Sequence, residues 1–289
     1  MQPAAAPRGG SLSADERIGS ESRARLAADL AVLGGRLALE WFHRAQSARS
    51  DGAAVSEADL ALHDTLGREI ARLFPGDGLI GDEPPRDPGT RSSTQYAWVL
   101  GPLDDTGNFA RGMPGFTVSV GVLRGRMPFA GAVYDPVARW LFSGCLGRGA
   151  WLNDRPLRVH GDPASGTALF ASRTPWVGGV PEYVERWMRR YGVRRFGSTA
   201  LHLCYVALGG LDFVHDDRAS LRDIAGAIPV LLEAGALLTN EVGAPVFPLG
   251  PSAAAATPIA FLAGHPRAHA DALRDLRAAF SAAVVLGVS

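Results

Sequence analysis

The spacing of apolar residues changes along this chain of 289 residues, and this restricts the fold to a mixture of helices and sheets. At 13–46 and 57–74, apolar residues recur every three or four positions, which predicts two amphipathic helices. At 96–100 and 116–122, a short apolar run and a strict alternation predict strands, and the Gly-Pro pair at 101–102 predicts a break after the first of them. The first half therefore reads as helices packed on an antiparallel sheet.

A different pattern follows residue 160. Strands predicted at 168–172 and 211–215 alternate with helices predicted at 198–208 and 221–234, which is typical of an α/β arrangement. We therefore expect an α/β protein whose N-terminal half is α+β and whose C-terminal half is α/β. The predicted units are a flexible tail, a half with helices and an antiparallel sheet, and a half that completes the candidate site, at 1–12, 13–160 and 161–289.

The composition excludes several chemistries. The 29 basic residues balance 29 acidic ones, and the sequence contains no lysine. Without a lysine amine the chain cannot form a Schiff base, attach pyridoxal phosphate or build a P-loop. A net charge of zero gives no general attraction to nucleic acid or an anionic membrane, and no apolar run reaches the ~18 residues that span a bilayer. Cys145 and Cys204 are far apart in the sequence and do not suggest a disulfide framework. They are more typical of two buried thiols in a cytoplasmic protein.

Acidic residues stand at the ends of predicted elements in four segments of the sequence. Asp59 lies near the start of the second helix, Asp82 follows a short apolar run, Asp104 and Asp105 follow the first strand, and Asp223 lies near the start of a later helix. Carboxylates in such places are suitable oxygen ligands for Mg²⁺. Each one also has a simpler explanation as a helix cap or a turn residue, so only their combination is informative.

Five short motifs occur along the chain. They are Gly-Asp-Glu at 81–83, Gly-Pro-Leu-Asp-Asp-Thr-Gly-Asn-Phe at 101–109, Gly-Arg-Gly-Ala-Trp-Leu-Asn at 147–153, Gly-Ser-Thr-Ala at 197–200 and Arg-Asp-Ile-Ala-Gly-Ala at 222–227. In this order they resemble the inositol monophosphatase family of Mg²⁺-dependent phosphatases over nearly the whole chain. The resemblance implies a layered αβαβα sandwich, Mg²⁺ as a cofactor, a small-molecule substrate and a homodimer.

The resemblance also implies roles for individual residues. The implied metal ligands are Asp82, Asp104, Asp223 and the carbonyl group of Leu103. Thr106, hydrogen-bonded to Asp59, would orient or deprotonate the attacking water. The implied substrate contacts are Gly107, Asn108, Ser198, Thr199 and Asp216. In such a site, metal ions polarise the phosphoryl oxygens and lower the pKa of a bound water.

The sequence departs from the family pattern around the metals. Gly101 stands where the family has an aspartate that bridges two metal ions, and Asp82 replaces a glutamate. Asp105 replaces a glycine beside the phosphate, and Arg222 replaces a tryptophan. Two divalent cations about 4 Å apart repel each other, and a bridging carboxylate offsets part of that repulsion. We therefore expect one Mg²⁺ ion instead of two or three, or none, unless the Asp105 carboxylate substitutes for the missing one.

Three functions remain open at this point. The first, and the preferred one, is a phosphoric monoester hydrolase that acts on a small polar substrate, with Asp59, Asp104, Asp105 and Thr106 as its catalytic residues. The second is an enzyme of specialised metabolism that keeps the fold and uses its carboxyl cluster for metal-independent acid–base chemistry, because neighbouring carboxylates push their pKa values apart. The third is a non-catalytic relative that only binds a ligand.

Overall fold

The computed structural model of the chain describes residues 14–48, 52–80, 95–159, 169–172, 179–250 and 254–286. The predicted tail, the predicted boundary at 160 and the implied metal ligand Asp82 lie outside these ranges.

The strands of the described residues form two sheets. The strands are β1 (Gly78–Ile80), β2 (Tyr96–Asp104), β3 (Thr117–Arg124), β4 (Met127–Asp135), β5 (Trp140–Cys145), β6 (Gly149–Leu152), β7 (Arg155–Leu157), β8 (Leu169–Ser172), β9 (Gly192–Val193), β10 (Phe213–Ser220), β11 (Leu237–Thr239) and β12 (Pro258–Gly264). The first sheet contains β1 to β7 in sequence order, and it is antiparallel from β2 onward. The second sheet has the order β11-β12-β10-β8-β9.

Helices cover both sheets. They are α1 (Ala14–Ala48), α2 (Gly52–Leu73), α3 (Thr106–Ala110), α4 (Glu182–Arg190), α5 (Thr199–Leu208), α6 (Leu221–Ile224), α7 (Ala227–Glu233) and α8 (Pro266–Leu286). The short helix α3 directly follows β2, and α6 directly follows β10. Two strand ends that carry acidic residues therefore each lead into a helix.

Three hydrophobic cores hold five layers together. Outside the first sheet, α1 and α2 pack on a face that includes Trp98. Between the sheets, α5, α6 and α7 pack around Val99 of the first sheet and Phe261 of the second. Outside the second sheet, Trp187 of α4 and Leu276 of α8 share a third core. Because successive side chains of a strand point to opposite faces, Trp98 and Val99 serve different cores. The αβαβα sandwich is thereby confirmed.

Two predictions about element boundaries were wrong. The Gly-Pro pair at 101–102 does not end the first strand, because β2 continues to Asp104 through a register shift against β3. Proline is tolerated in a sheet where the hydrogen-bond ladder is interrupted in this way. The helix predicted at 221–234 is divided into α6 and α7 around Gly226, where a Cβ would lie 2.5 Å from Ser119 Oγ. The backbone at Gly226 lies very close to the first sheet, which explains why the helix is divided at this residue.

Candidate active site

Acidic residues from two distant segments, at 104–105 and at 216–223, meet at one cavity of about 380 Å³. Its walls come from β2, α3, β8, α5, β10 and α6, so both sheets contribute. The lining residues are Leu103, Asp104, Asp105, Thr106, Ser172, Arg195, Gly197, Thr199, His202, Val214, His215, Asp216, Arg222 and Asp223. The site residues that the sequence pointed to in β2, β10 and α6 therefore face a common space.

Asp104 ends β2, and the start of α5 holds its carboxyl group. Asp104 Oδ2 accepts a hydrogen bond from Ser198 Oγ at 2.5 Å and another from the backbone N–H of Ala200 at 2.8 Å. Ser198 is the N-cap of α5, and its Oγ also accepts from the N–H of Leu201 at 3.0 Å and lies 3.0 Å from Thr117 Oγ1. The hydrogen bonds from Ser198 and Ala200 thus both use Oδ2 of Asp104.

The surroundings of Asp104 change its acidity. Burial raises the pKa of Asp104 to about 8, and the negative charge of Asp223 adds to the rise. The hydrogen bonds from Ser198 and Ala200 lower the pKa, and Asp105 raises it further by a smaller amount. Carboxyl groups that repel each other in this way are stabilised by a proton or by a shared cation. Asp104 and Asp223 are thus electrostatic neighbours.

Asp216 and Asp223 are each oriented by nearby groups. Asp223 Oδ2 accepts a hydrogen bond from the backbone N–H of Ser220 at 2.9 Å. Asp216 is buried, and its Oδ1 accepts from the N–H of Arg218 at 2.9 Å. Its Oδ2 accepts from Thr199 Oγ1 at 3.1 Å. Thr199 and Asp216, which the resemblance gives as substrate contacts, are therefore bonded to each other on one wall of the cavity.

Asp105 occupies a left-handed backbone position with φ of 70°, a conformation that favours glycine. Its Oδ1 accepts a hydrogen bond from the N–H of Asn108 at 2.9 Å and so caps α3. Its Oδ2 lies so near Gly197 that a Cβ on that glycine would be 1.4 Å away. The carboxylate of Asp105 therefore rests against the loop before α5 and does not take the place of a carboxylate at Gly101.

Asn108 turns away from the main cavity. Its Nδ2 donates to the carbonyl oxygens of Phe196 at 2.8 Å and Pro114 at 3.1 Å. It lines a neighbouring cavity of about 510 Å³, which also includes Tyr205. The amide of Asn108 thus joins the loop after α3 to the loop before α5, and its role as a substrate contact stays a prediction.

Gly101 shows how closely α6 approaches the first sheet. A Cβ added to Gly101 would lie 2.5 Å from the backbone carbonyl oxygen of Arg222 and 3.2 Å from the Cβ of Ser119. Such a distance to a backbone atom is shorter than ordinary van der Waals contact. The backbone of Arg222 therefore leaves no room for a side chain at position 101.

Thr106 and Asp59 belong to helices that touch. Thr106 begins α3 and is exposed at the cavity, and Asp59 is partly buried on α2, which packs against α3. Gly107 follows within α3, and its carbonyl oxygen accepts from Arg111 Nη1 at 3.3 Å. The orientation of an attacking water by Thr106 and Asp59, and the contact of Gly107 with a substrate, stay predictions.

The described residues include a donor set that could hold one cation. Asp104 and Asp223 are neighbours that each use Oδ2 in a hydrogen bond, and Leu103 lies beside them on the cavity wall. Within the described ranges, no cluster of three or more His, Cys, Asp or Glu residues is arranged to hold a metal ion. Mg²⁺ often takes only one or two protein carboxylates and completes its shell with water and substrate phosphate. A site for a single ion at Asp104 and Asp223 is consistent with this donor set.

Three other wall residues, His202, Arg195 and Arg222, were not among the site residues named from the sequence. His202 lies on α5 four residues after Ser198, and its Nε2 accepts the backbone N–H of Phe196 at 2.9 Å. Burial lowers the pKa of His202 to about 4, and the positive charge of Arg195 adds to this effect, so the imidazole is neutral near pH 7. Arg195 and Arg222 also line the cavity. The helical spacing from Ser198 is the signal that could have identified His202.

Comparison with known proteins extends the resemblance. The model of the inositol monophosphatase family matches residues 21–279. The chain belongs to this family. It is 32% identical to inositol monophosphatase 1 of Solanum lycopersicum over 232 residues, which cover 75% of this chain and 84% of the relative. It is 34% identical to the inositol-1-monophosphatase of Mesorhizobium japonicum over 203 residues, which cover 68% of this chain and 76% of the relative.

Solved structures of the inositol monophosphatase family share the fold. The extragenic suppressor protein suhB of Bartonella henselae is 26% identical with a TM-score of 0.74, and the match covers 89% of this chain and 99% of that one. The inositol monophosphatase of Anabaena sp. has the same identity, 26%, and TM-score, 0.74, with 90% and 96% covered. Membership of this family supports a phosphatase-type hydrolase. Among the described residues, no helix has the length and hydropathy needed to cross a bilayer.

Proposed function

We propose that this protein removes the phosphate group from a small polar phosphate monoester, with one Mg²⁺ ion held between Asp104 and Asp223. The observation that carries the proposal is the meeting of Asp104 with Asp216 and Asp223, which come from two distant segments, around one cavity that two arginines also line. A phosphate dianion requires positive charge beside it, and a substrate with hydroxyl groups requires acceptors such as the Asp216 carboxylate.

Individual residues would have separate roles in this reaction. When bound, Mg²⁺ would polarise a phosphoryl oxygen and lower the pKa of a water molecule. Ser198 and Ala200 fix Asp104 Oδ2 by hydrogen bonds. Thr106, supported by Asp59, would orient the attacking water for in-line displacement.

The substrate would be held on the opposite side by the pair of Thr199 and Asp216. Thr199 Oγ1 and Asp216 Oδ2 are already 3.1 Å apart, so a hydroxyl group of the substrate can join an existing hydrogen-bonded pair. Asp105, which lies between this cavity and its neighbour, adds a negative charge close to the phosphate. We infer that this charge slows turnover and selects against substrates with further phosphate groups near that wall.

A second function is favoured by two features of the same cavity. The pKa of Asp104 is raised to about 8, and no carboxylate fits at Gly101. A carboxylic acid that keeps its proton near pH 7 can serve as a general acid without metal. The second candidate is therefore acid–base chemistry on a small polar molecule, such as an elimination or an isomerisation.

Phosphate release from a panel of monoesters separates these functions. The panel contains inositol 1-phosphate, glycerol 2-phosphate and glucose 1-phosphate, each tested with Mg²⁺ and with EDTA. We expect release that rises with Mg²⁺ and falls at least ~100-fold in Asp104→Asn, because the ligand charge is lost while its shape is kept. Asp154→Asn changes an exposed turn residue and is the matched control.

Other outcomes would reject the proposed hydrolase. Release that is equal with Mg²⁺ and with EDTA, or equal in Asp104→Asn and Asp154→Asn, contradicts it. If no panel member is turned over but one raises the melting temperature, the non-catalytic alternative is supported instead.

Three accompanying predictions are proposals from the resemblance and the sequence. The protein would be a homodimer, would lie in the cytoplasm, and would join its two halves near residue 160. Sedimentation velocity at several concentrations tests the dimer, and a single sedimenting species of about 30.4 kDa would contradict it.

A further inference from the structure

The contact between Gly101 and Arg222 distinguishes this cavity from a two-metal site. The carbonyl oxygen of Arg222 would be 2.5 Å from a Cβ at position 101, so no side chain fits there without movement of α6. The obstacle is backbone and not a flexible side chain, which means that a rotamer change cannot remove it. Position 101 therefore contributes no carboxylate to this side of the cavity.

The cavity still needs positive charge if it is to hold a phosphate dianion. Asp104, Asp105, Asp216 and Asp223 all line it, so a phosphate dianion bound there would require cationic groups beside it. Arg222 lies directly before Asp223, is partly buried, and lines the same cavity. The residue whose backbone closes position 101 thus also lines the cavity, and an arginine stays charged at any relevant pH.

We propose that the guanidinium group of Arg222 binds the substrate phosphate and supplies the charge that a second metal ion would otherwise provide. This inference rests on the proposed function, since it assigns a phosphate-binding residue to the same cavity. Arginine is suited to the task because it stays charged at any relevant pH and can present two parallel N–H donors to phosphate oxygens. A site of this kind works with one divalent cation at most.

Binding of inorganic phosphate to metal-free protein tests the proposal without turnover. Wild-type protein treated with EDTA and three variants, Arg222→Gln, Arg222→Lys and Arg274→Gln, are titrated with phosphate by calorimetry at constant ionic strength. Arg274 is an exposed residue of α8 with 73% of its side chain accessible, so it is the matched arginine control. The backbone carbonyl at 222 is kept in every variant.

We expect Arg222→Gln to weaken phosphate binding at least ~10-fold, because a charge-assisted bond to phosphate is lost. Arg222→Lys should keep part of the affinity, since it retains the charge but not the paired donors. Arg274→Gln should match wild type. Equal affinities in Arg222→Gln and Arg274→Gln, or no phosphate binding by metal-free wild type, would overturn the proposal.

Metal stoichiometry gives an independent readout. Titration with Mn²⁺ in the presence of phosphate, followed by electron paramagnetic resonance, should show one tightly bound ion per chain in wild type. Two tightly bound ions per chain would refute the replacement of a metal by Arg222. If phosphate binds through Arg222 and yet no monoester is hydrolysed, the proposed function fails while the assignment of Arg222 stands. If hydrolysis proceeds but Arg222→Gln binds phosphate normally, only the assignment fails.

Discussion

Substitution of Gly101 by alanine should destabilise the protein through a single defined overlap. The added Cβ would be 2.5 Å from the Arg222 carbonyl oxygen and 3.2 Å from Ser119 Cβ. Either α6 or β2 must shift, and overpacking of this kind costs typically about 1–3 kcal/mol. Alanine also has a smaller unfolded-state entropy than glycine, which stabilises the folded state by about 0.4–1 kcal/mol. We therefore expect the free energy of unfolding to decrease by about 1–2 kcal/mol in total.

Urea denaturation of Gly101→Ala and Gly76→Ala measures this loss. Gly76 has no atom within 4 Å of a built Cβ, so its substitution brings the same chemical change without the overlap. Gly76→Ala should be unchanged or slightly more stable, and Gly101→Ala should have a lower midpoint with a similar slope. Equal midpoints for the two variants would refute the argument that the Arg222 backbone closes this position.

Gly101→Asp extends the same reasoning to the metal. It adds the overlap of Gly101→Ala and places a third carboxylate beside Asp104 and Asp223. We expect it to unfold at lower urea than Gly101→Ala when metal is removed, because like charges repel in a buried site. A variant that binds two Mn²⁺ ions and regains wild-type stability would show that α6 moves away easily, contrary to our reasoning.

Three further predictions concern pH and local packing. The first concerns Asp104, whose raised pKa means that, without metal, the folded protein keeps a proton that the unfolded chain releases above about pH 4. The stability of the protein should therefore fall as the pH rises towards 8. Thermal melts of Asp104→Asn should show a smaller dependence of stability on pH. The second concerns His202, whose pKa is lowered to about 4, so its contribution to the free energy of unfolding is present above pH 6.5 and lost as the pH falls. His202→Ala should remove this dependence of stability on pH. In urea denaturation the variant should also lose about 1–3 kcal/mol of stability, because the Phe196 N–H loses its acceptor. The third concerns Gly197→Ala, which should be strongly destabilised because its Cβ would be 1.4 Å from Asp105 Oδ2 at a φ of +101°. In a double-mutant cycle, Asp105→Gly should restore the part of the stability that the overlap removes. Strictly additive losses of stability would contradict this.

Much of the architecture followed from periodicity because long helices and alternating strands leave a strong pattern. The helix predicted at 13–46 corresponds to α1, and the alternation at 116–122 corresponds to β3. The predictions that were wrong concern single element boundaries. Gly and Pro at 101–102 indicated a turn, but the pairing of β2 with β3 overrode their preference and continued the strand with a register shift. Tertiary contact, which a single sequence does not display, decided this boundary.

The candidate site shows the same division between pattern and contact. Asp104 and Asp223 could be named from their motifs, and the structure places them as electrostatic neighbours. The consequences of Gly101 and Asp105 could not be worked out in advance, because they depend on distances between residues far apart in sequence. The carboxylate of Asp105 is four residues from Gly101, yet it packs on Gly197 of another segment. A departure from a motif thus indicates where a site has changed, while its neighbours in space determine how.

The hydrogen bonds around Asp104 explain how the fold can tolerate such changes. Its Oδ2 is held by Ser198 and by the N–H of Ala200, and Ser198 in turn lies 3.0 Å from Thr117, so the connection between β2, β3 and α5 consists of protein groups alone. Gly101 takes no part in this network, so the bonds that join these elements do not depend on a carboxylate at that position. The stability of this part of the sandwich therefore does not require a cation, whereas a bound phosphate would require positive charge in the cavity.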